Sequence, residues 1–257
     1  MNICSTPLIL KEEYDGVCKL KLNSPKNRNP LSLAMINELS EQLTIIDKDP
    51  RLKVVIITGS GVAFCAGHDL RELQNTNMGL TIFRSCSSMM MQIIRLKKPV
   101  IAQVNGVATA AGCQLVATAD LAIAGFSAKF STPGINIGLF CTTPSVALSR
   151  SISQKKAMEM LLTGDPLSAQ KAEAIGLINQ AVADENLEQT THNLALKLAE
   201  KPTQILSIGK EAFYRQTQKP IAESYDYASA VMNKNLGEKD CIEGIQAFLQ
   251  KRRPIWR

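Results

Sequence analysis

Two short stretches concentrate the residues able to do chemistry. The first, Phe64-Cys65-Ala66-Gly67-His68-Asp69-Leu70, follows a β-branched run that ends in Gly59 and Gly61. The second, Val104-Asn105-Gly106-Val107-Ala108-Thr109-Ala110-Ala111-Gly112-Cys113-Gln114-Leu115, runs from a predicted strand into a predicted helix start near Ala111. Small residues let another group approach the backbone closely. A helix start points unpaired N–H groups and the positive end of its dipole outward. Two such N–H groups, one from each stretch, can grip an oxygen as negative charge develops on it, which lowers a barrier. Either stretch alone also fits a tight helix-packing junction. Among nearby side chains (His68, Asp69, Glu72, Cys113, Cys141, Thr142 and Thr143) only His68 titrates by nature close to pH 7. The thiols need a base or a lowered pKa to act as nucleophiles, and they read as packing residues. His192 falls in a predicted end helix, which argues against a Ser-His-Asp triad.

These stretches need a scaffold, and the hydrophobic pattern supplies one. Residues 8–22 alternate around Tyr14-Asp15-Gly16 and predict a hairpin. Ser24-Pro25-Lys26-Asn27-Arg28 reads as a polar loop. Asn29 as N-cap and Pro30 at the first helical position predict a helix carrying Leu33, Ile36, Leu39 and Leu43. Val54-Val55-Ile56-Ile57, Val100-Ile101-Ala102-Gln103-Val104 and Leu121-Ala122-Ile123-Ala124 predict buried parallel strands. Helices are expected over 78–96, 111–118, 144–151, 155–162 and 168–175. Strand, turn and helix in alternation imply a layered α/β core. From about residue 186 the pattern is helix only, over 187–200, 203–216, 221–236 and 239–252. The division expected is a core over 1–185 and a helical segment over 186–257, whose apolar faces must pack on the core or on a neighbouring subunit.

Composition narrows the function classes. Hydrophobic residues make up 45% and charged residues 20%, as in ordinary globular proteins. No apolar run reaches the roughly 20 residues that span a bilayer. The acidic N-terminal stretch lacks the layout of a signal or transit peptide, so a cytoplasmic location is expected, or a mitochondrial matrix one if a presequence has been removed. Seven scattered cysteines without a C-x-x-C pair read as free thiols in a reducing compartment. With two histidines and no clustered ligands, no metal site is expected. A formal charge of +6 suits an anionic partner, but 5% aromatic content without basic-aromatic interleaving argues against nucleic acid.

Taken together, the two stretches resemble the two signature blocks of the crotonase (enoyl-CoA hydratase/isomerase) superfamily. The resemblance continues through Asp120-Leu121-Ala122-Ile123-Ala124, Ala128-Lys129-Phe130, Leu162-Thr163-Gly164 and Ala172-Glu173-Ala174-Ile175-Gly176-Leu177-Ile178 to Ala247-Phe248-Leu249-Gln250-Lys251-Arg252. Gly67-His68-Asp69-Leu70, Ala110-Ala111-Gly112-Cys113-Gln114 and the final Arg253-Pro254-Ile255-Trp256 are similar, more narrowly, to the enoyl-CoA hydratase domain-containing protein 3 group, linked with fatty-acid metabolism. The resemblance implies an α/β spiral of strand-strand-helix turns with a C-terminal helical trimerisation segment, assembled as a homo-trimer or hexamer. It implies an acyl-CoA ligand, coenzyme A entering as part of the thioester rather than as a bound cofactor, and no membrane partner.

Position by position, the resemblance puts an oxyanion hole at the backbone N–H groups of His68 and Ala111. Ala66, His68, Asp69, Leu70 and Arg71 would line the coenzyme A arm and adenine. Lys26, Arg28 and, from a neighbouring subunit, Lys251 would meet its phosphates. A hydratase of this family places carboxylates at the positions held here by Gln114 and Gly134. An amide is no general base near neutral pH, and glycine has no side chain. Efficient hydration is therefore not expected. Decarboxylation, thioester hydrolysis and binding without catalysis remain open.

Overall fold

The computed structural model describes residues 7–256; Cys4 and the first residues of the chain lie outside them. Its strands are β1 (Ile9–Tyr14), β2 (Val17–Leu22), β3 (Val54–Gly59), β4 (Ala63–Cys65), β5 (Val100–Val104), β6 (Val107–Thr109), β7 (Leu121–Gly125), β8 (Lys129–Ser131), β9 (Leu167–Ser168) and β10 (Gln180–Val182). Its helices are α1 (Leu33–Lys48), α2 (Leu70–Leu73), α3 (Thr76–Arg95), α4 (Ala111–Thr118), α5 (Thr142–Ser151), α6 (Gln154–Thr163), α7 (Ala169–Ala174), α8 (Leu187–Ala199), α9 (Thr203–Gln216), α10 (Ile221–Asn235) and α11 (Lys239–Leu249).

The strands make two sheets, ordered β1-β2-β3-β5-β7-β10 and β4-β6-β8-β9. In the first, only the β1–β2 hairpin is antiparallel; Asp15 and Gly16, both at positive φ, turn it. Every residue of β3 and β5 is buried, because helices cover both faces. Alternation along β3 sorts them: Val54 and Ile56 join Ala195 and Ala199 of α8, while Val55 and Ile57 join the main core with Leu39 of α1 and Ile93 of α3. The second sheet, built from strands of two or three residues, was not distinguishable in the sequence pattern. Its parallel pairs Cys65↔Ala108 and Thr109↔Ser131 bring the two signature stretches side by side.

One expected helix start is corrected. Asn29 is not the cap of α1: that helix begins at Leu33, and Ser32 caps it by accepting from the Met35 N–H at 3.2 Å. Asn29 is instead fully buried at φ 53°, and its amide donates to the Ser60 and Ala63 carbonyls at 2.9 and 2.8 Å. Its oxygen accepts from the Ser24 N–H at 2.9 Å. Asparagine tolerates the left-handed conformation and carries both donor and acceptor, so it ties the 24–29 loop to the β3–β4 connection.

The end segment divides by burial. α8 buries Leu187, Thr191, Ala195 and Ala199, a spacing of four that sets one narrow face on the first sheet. α9 is fastened at Asp120, whose carboxylate accepts from the Val100 N–H at 2.7 Å, Lys210 Nζ at 2.6 Å and the Tyr214 hydroxyl at 2.9 Å. Beyond it, Tyr225, Met232 and Phe248 stay at least 70% exposed. No helix among the described residues is long and apolar enough to cross a membrane.

Candidate functional site

The site begins where β4 runs into the turn at Gly67. Cys65 and Phe64 are wholly buried, and Gly67 then takes φ 92°, a conformation that L side chains rarely adopt. A methyl group on Gly67 would lie 2.9 Å from Ala110 Cβ, 3.0 Å from the Thr109 carbonyl oxygen and 3.4 Å from Ala111 N. The two signature stretches are thus in contact through main chain. Gly112 makes the contact tighter: a Cβ there would meet the Cys65 carbonyl oxygen at 2.1 Å. The helix start fits against β4 only because residue 112 has no side chain.

Ala110 precedes α4 with φ 49° and ψ −116°, a strained setting for a residue with a Cβ. Its own N–H donates to the Ser131 carbonyl at 2.9 Å, which pins the turn to β8. No side chain caps α4, and neither its first nor its last turn carries a charge. The positive end of the helix dipole is left unneutralised. Among the described residues, neither the Ala111 N–H nor the His68 N–H reaches an acceptor. Two N–H groups on touching turns are thus left without a partner among the described residues.

His68 is positioned through Leu31. The Leu31 N–H donates to the Gly67 carbonyl at 2.7 Å, and the His68 Nδ1 lies 3.3 Å from the Leu31 carbonyl oxygen. The ring meets Phe83 of α3 edge-on, centroids 5.5 Å apart. Burial lowers the imidazole pKa below its ordinary 6.5, against the smaller upward pulls of the Leu31 carbonyl and the Glu72 carboxylate. Asp69 caps α2 through the Arg71 N–H and pairs with the Arg71 guanidinium at 2.7 Å, which holds its carboxyl below the usual range.

The two positions at which the resemblance leads one to expect carboxylates, Gln114 and Gly134, lie beyond the helix start. Gln114 is 4% exposed, and its Oε1 is buried without a partner among the described residues. It lines a cavity of about 1000 Å³ between Met90 and Ile94 of α3, Val146 of α5 and Phe213 and Tyr214 of α9. Gly134, in a 3-10 turn, is buried, and a Cβ there would lie 2.1 Å from the Leu139 carbonyl oxygen and 2.8 Å from Cys141 Sγ. The chain that returns from Leu139 to Cys141 fills the place a side chain would need. Burial pushes the Cys65 and Cys113 thiols up to about 12 and raises Cys141 as well, so none of them offers a thiolate near neutrality.

A profile of the family described as Enoyl-CoA hydratase/isomerase matches residues 12–257. The chain belongs to this family. It is 44% identical over 254 residues to enoyl-CoA hydratase domain-containing protein 3, mitochondrial, of Xenopus laevis, covering 98% of this chain and 86% of that one. The Danio rerio protein of that name is 46% identical over 255 residues, covering 98% and 88%. Two crystal structures superpose with TM-scores of 0.95 at 44% identity. One is an enoyl-CoA hydratase of Mycobacterium smegmatis, with 98% of this chain and 99% of that one covered. The other is the human enoyl-CoA hydratase domain-containing protein 3, with 97% and 100% covered. The fold is the α/β crotonase fold, two sheets with helices gathered at the C-terminal end.

Against that frame of relatives, the expected site residues fall into two groups. Ala66, Gly67, His68, Ala111 and Gln114 share the junction of β4 and α4. The exposed Lys26 and Arg28 lie beside it, since the Ala66 N–H donates to the Arg28 carbonyl at 3.0 Å. Leu70 and Arg71 are exposed on the short helix that follows. Lys251, after α11, makes no side-chain hydrogen bond or ion pair with this rim among the described residues. Sequence reading missed the roles of Asn29 and Leu31, which fix the loop and the histidine.

Proposed function

We propose that this chain binds acyl groups as coenzyme A thioesters and holds the thioester oxygen between the His68 and Ala111 N–H groups as it gains enolate character. The observation that carries this reading is the pair of unpaired main-chain donors on two touching turns, beside a helix start with no side-chain cap. Backbone donors are indifferent to the side chains at 68 and 111, so the oxygen-holding function survives substitution there. Hydration does not. Each carboxylate that moves protons contributes about 10²–10⁴-fold, and Gln114 and Gly134 offer none. The reactions this site favours need the oxygen held more than they need water activated; decarboxylation is of this kind, thioester hydrolysis is an alternative that needs an activated water as well, and binding alone is the limiting case. Lys26, Arg28 and the 66–71 stretch serve the coenzyme A phosphates, arm and adenine. Lys251 serves them from a neighbouring subunit of a trimer or hexamer, for which the exposed Tyr225, Met232 and Phe248 supply apolar contact area. The relatives named as mitochondrial favour the matrix over the cytoplasm wherever the source cell has that compartment.

Crotonyl-CoA tests both parts. Calorimetry is expected to show binding, and absorbance at the enoyl band no hydration above background. Hydration at an ordinary enzymatic rate would overturn the argument from Gln114 and Gly134. Failure of crotonyl-CoA and of saturated acyl-CoA to bind would overturn the thioester reading itself.

A further inference from the structure

We propose that the His68 side chain is the proton acceptor of this site: its neutral imidazole removes a proton from the carbon next to the thioester carbonyl. The proposal rests on the acyl-thioester reading above and names a residue for which no carboxylate is needed. Its first support is the tautomer. The Leu31 carbonyl can only accept, so the ring nitrogen 3.3 Å from it carries the hydrogen, and the neutral ring keeps its lone pair on Nε2. The second is that Nε2 is buried and has no partner among the described residues. A lone pair so placed is left for a ligand. The third is position. The ring hangs from the residue whose own N–H is one of the two oxygen donors, and Phe83 of α3 fixes its tilt.

The charged surroundings agree. Among the described residues Glu72 of α2 is the one carboxylate that acts on the ring, and it is engaged by the Leu33 N–H at 2.8 Å. Asp69 is committed to Arg71. Leu31 and Phe83 present no titratable group. Burial outweighs Glu72, so the imidazole is neutral at neutral pH and able to take a proton. In the step itself the Cα–H bond breaks, the proton goes to Nε2, and the bonding pair forms the enolate double bond. The negative charge falls on the oxygen held by the His68 and Ala111 N–H groups. Return of a proton from the ring restores the thioester, so in heavy water the visible result is exchange at Cα with no other reactant consumed.

Butyryl-CoA, which has no double bond to hydrate, is the probe. In D₂O the protein is expected to erase its α-CH₂ proton signal with time, at a rate that falls as pH drops through a value below 6.5. His68→Asn keeps the backbone N–H and an amide able to donate to Leu31, but has no imidazole lone pair. It is expected to bind butyryl-CoA within about threefold of the unaltered protein and to exchange at least about 100-fold more slowly. Binding without exchange by the unaltered protein, or undiminished exchange by the variant, overturns the role of His68 and leaves the thioester reading intact. Absence of butyryl-CoA binding by the unaltered protein sinks that reading instead. Should His68→Asn fail to fold, ¹⁵N spectra of the unaltered protein decide. With His192 the only other histidine, the His68 ring is expected as the Nδ1-protonated tautomer with a pKa below 6.5. The opposite tautomer, or a pKa above 6.5, overturns the proposal.

Discussion

The two halves of the candidate site draw on different parts of their residues. At 65–71 and 107–112 the groups proposed to hold the thioester oxygen are main-chain N–H, and two residues must leave room for backbone: Gly67 and Gly112 each face another strand of backbone within 3.4 Å of where a Cβ would be. At 114 and 134 the family resemblance leads one to expect carboxylate side chains, and here the first is an amide and the second is absent. On the proposed reading, holding the oxygen in the first half asks only for an N–H at residue 68, whereas hydration in the second half asks for a base, which an amide is not. A function written in backbone geometry outlasts drift in side chains, so a family fold can keep its ligand while losing its reaction.

The comparison predicts that glycine substitutions in the first half do the most damage. Gly112→Ala sets a Cβ 2.1 Å from the Cys65 carbonyl oxygen, with rigid main chain on both sides. A loss of about 3 kcal/mol of folding stability is expected, the upper end for overpacking, visible as a lower urea midpoint. Gly67→Ala is the more informative variant. It adds strain at φ 92° and a contact with Ala110, and it moves the Ala111 N–H. Acyl-CoA turnover of any kind is expected to fall by about 100-fold or more, as when one oxyanion donor is lost. A Gly67→Ala protein that folds and turns over acyl-CoA unchanged would break the claim that backbone placement is what matters.

The second half predicts a failed rescue. Gly134→Glu, alone or with Gln114→Glu, looks on sequence grounds like a route back to hydration. The Leu139 carbonyl and Cys141 thiol occupy the space its Cβ needs. The glutamate variant is expected to lose about 1–3 kcal/mol of stability and to leave crotonyl-CoA unhydrated. Gln114→Glu has no such obstacle in its own backbone, but one carboxylate without the other restores at most part of the proton chemistry. Recovery of an ordinary hydratase rate in the double variant would show that the 134–141 turn yields easily.

How far all this was legible in the sequence follows the same divide. Five strands of the six-stranded sheet were readable because Val54-Val55-Ile56-Ile57 and its counterparts are long enough to carry a pattern; the three-residue β10 was not. The second sheet was not, since Ala63-Phe64-Cys65 and Val107-Ala108-Thr109 are shorter than any periodicity. The signature stretches stood out through small residues, whose spacing the backbone path dictates. The crowding at Gly134 left no trace, because it arises from Leu139 and Cys141, which only the fold brings back onto it. The role of Asn29 was misread for a similar reason: its partners at Ser60 and Ala63 lie 31 and 34 residues away.

The smallest effects belong to the exposed rim, where side chains act through charge rather than shape. Lys26 and Arg28 sit in a loop that the Arg28 carbonyl joins to Ala66, and the Arg71 side chain is 70% exposed while pairing with Asp69. Such charges are screened by salt and hold long, mobile side chains. Lys26→Ala or Arg71→Ala is expected to weaken acyl-CoA binding by about threefold at low ionic strength, with the difference fading near physiological salt. The oxyanion donors should feel none of this, because the exposed cations act on phosphates and the N–H groups on the carbonyl. Titration calorimetry at two salt concentrations, with intact acyl-CoA and with a short pantetheine thioester that lacks the nucleotide, separates the two contributions. Equal weakening of both ligands would place these cations at the thioester end and undo the division between a shape-built hole and a charge-built rim.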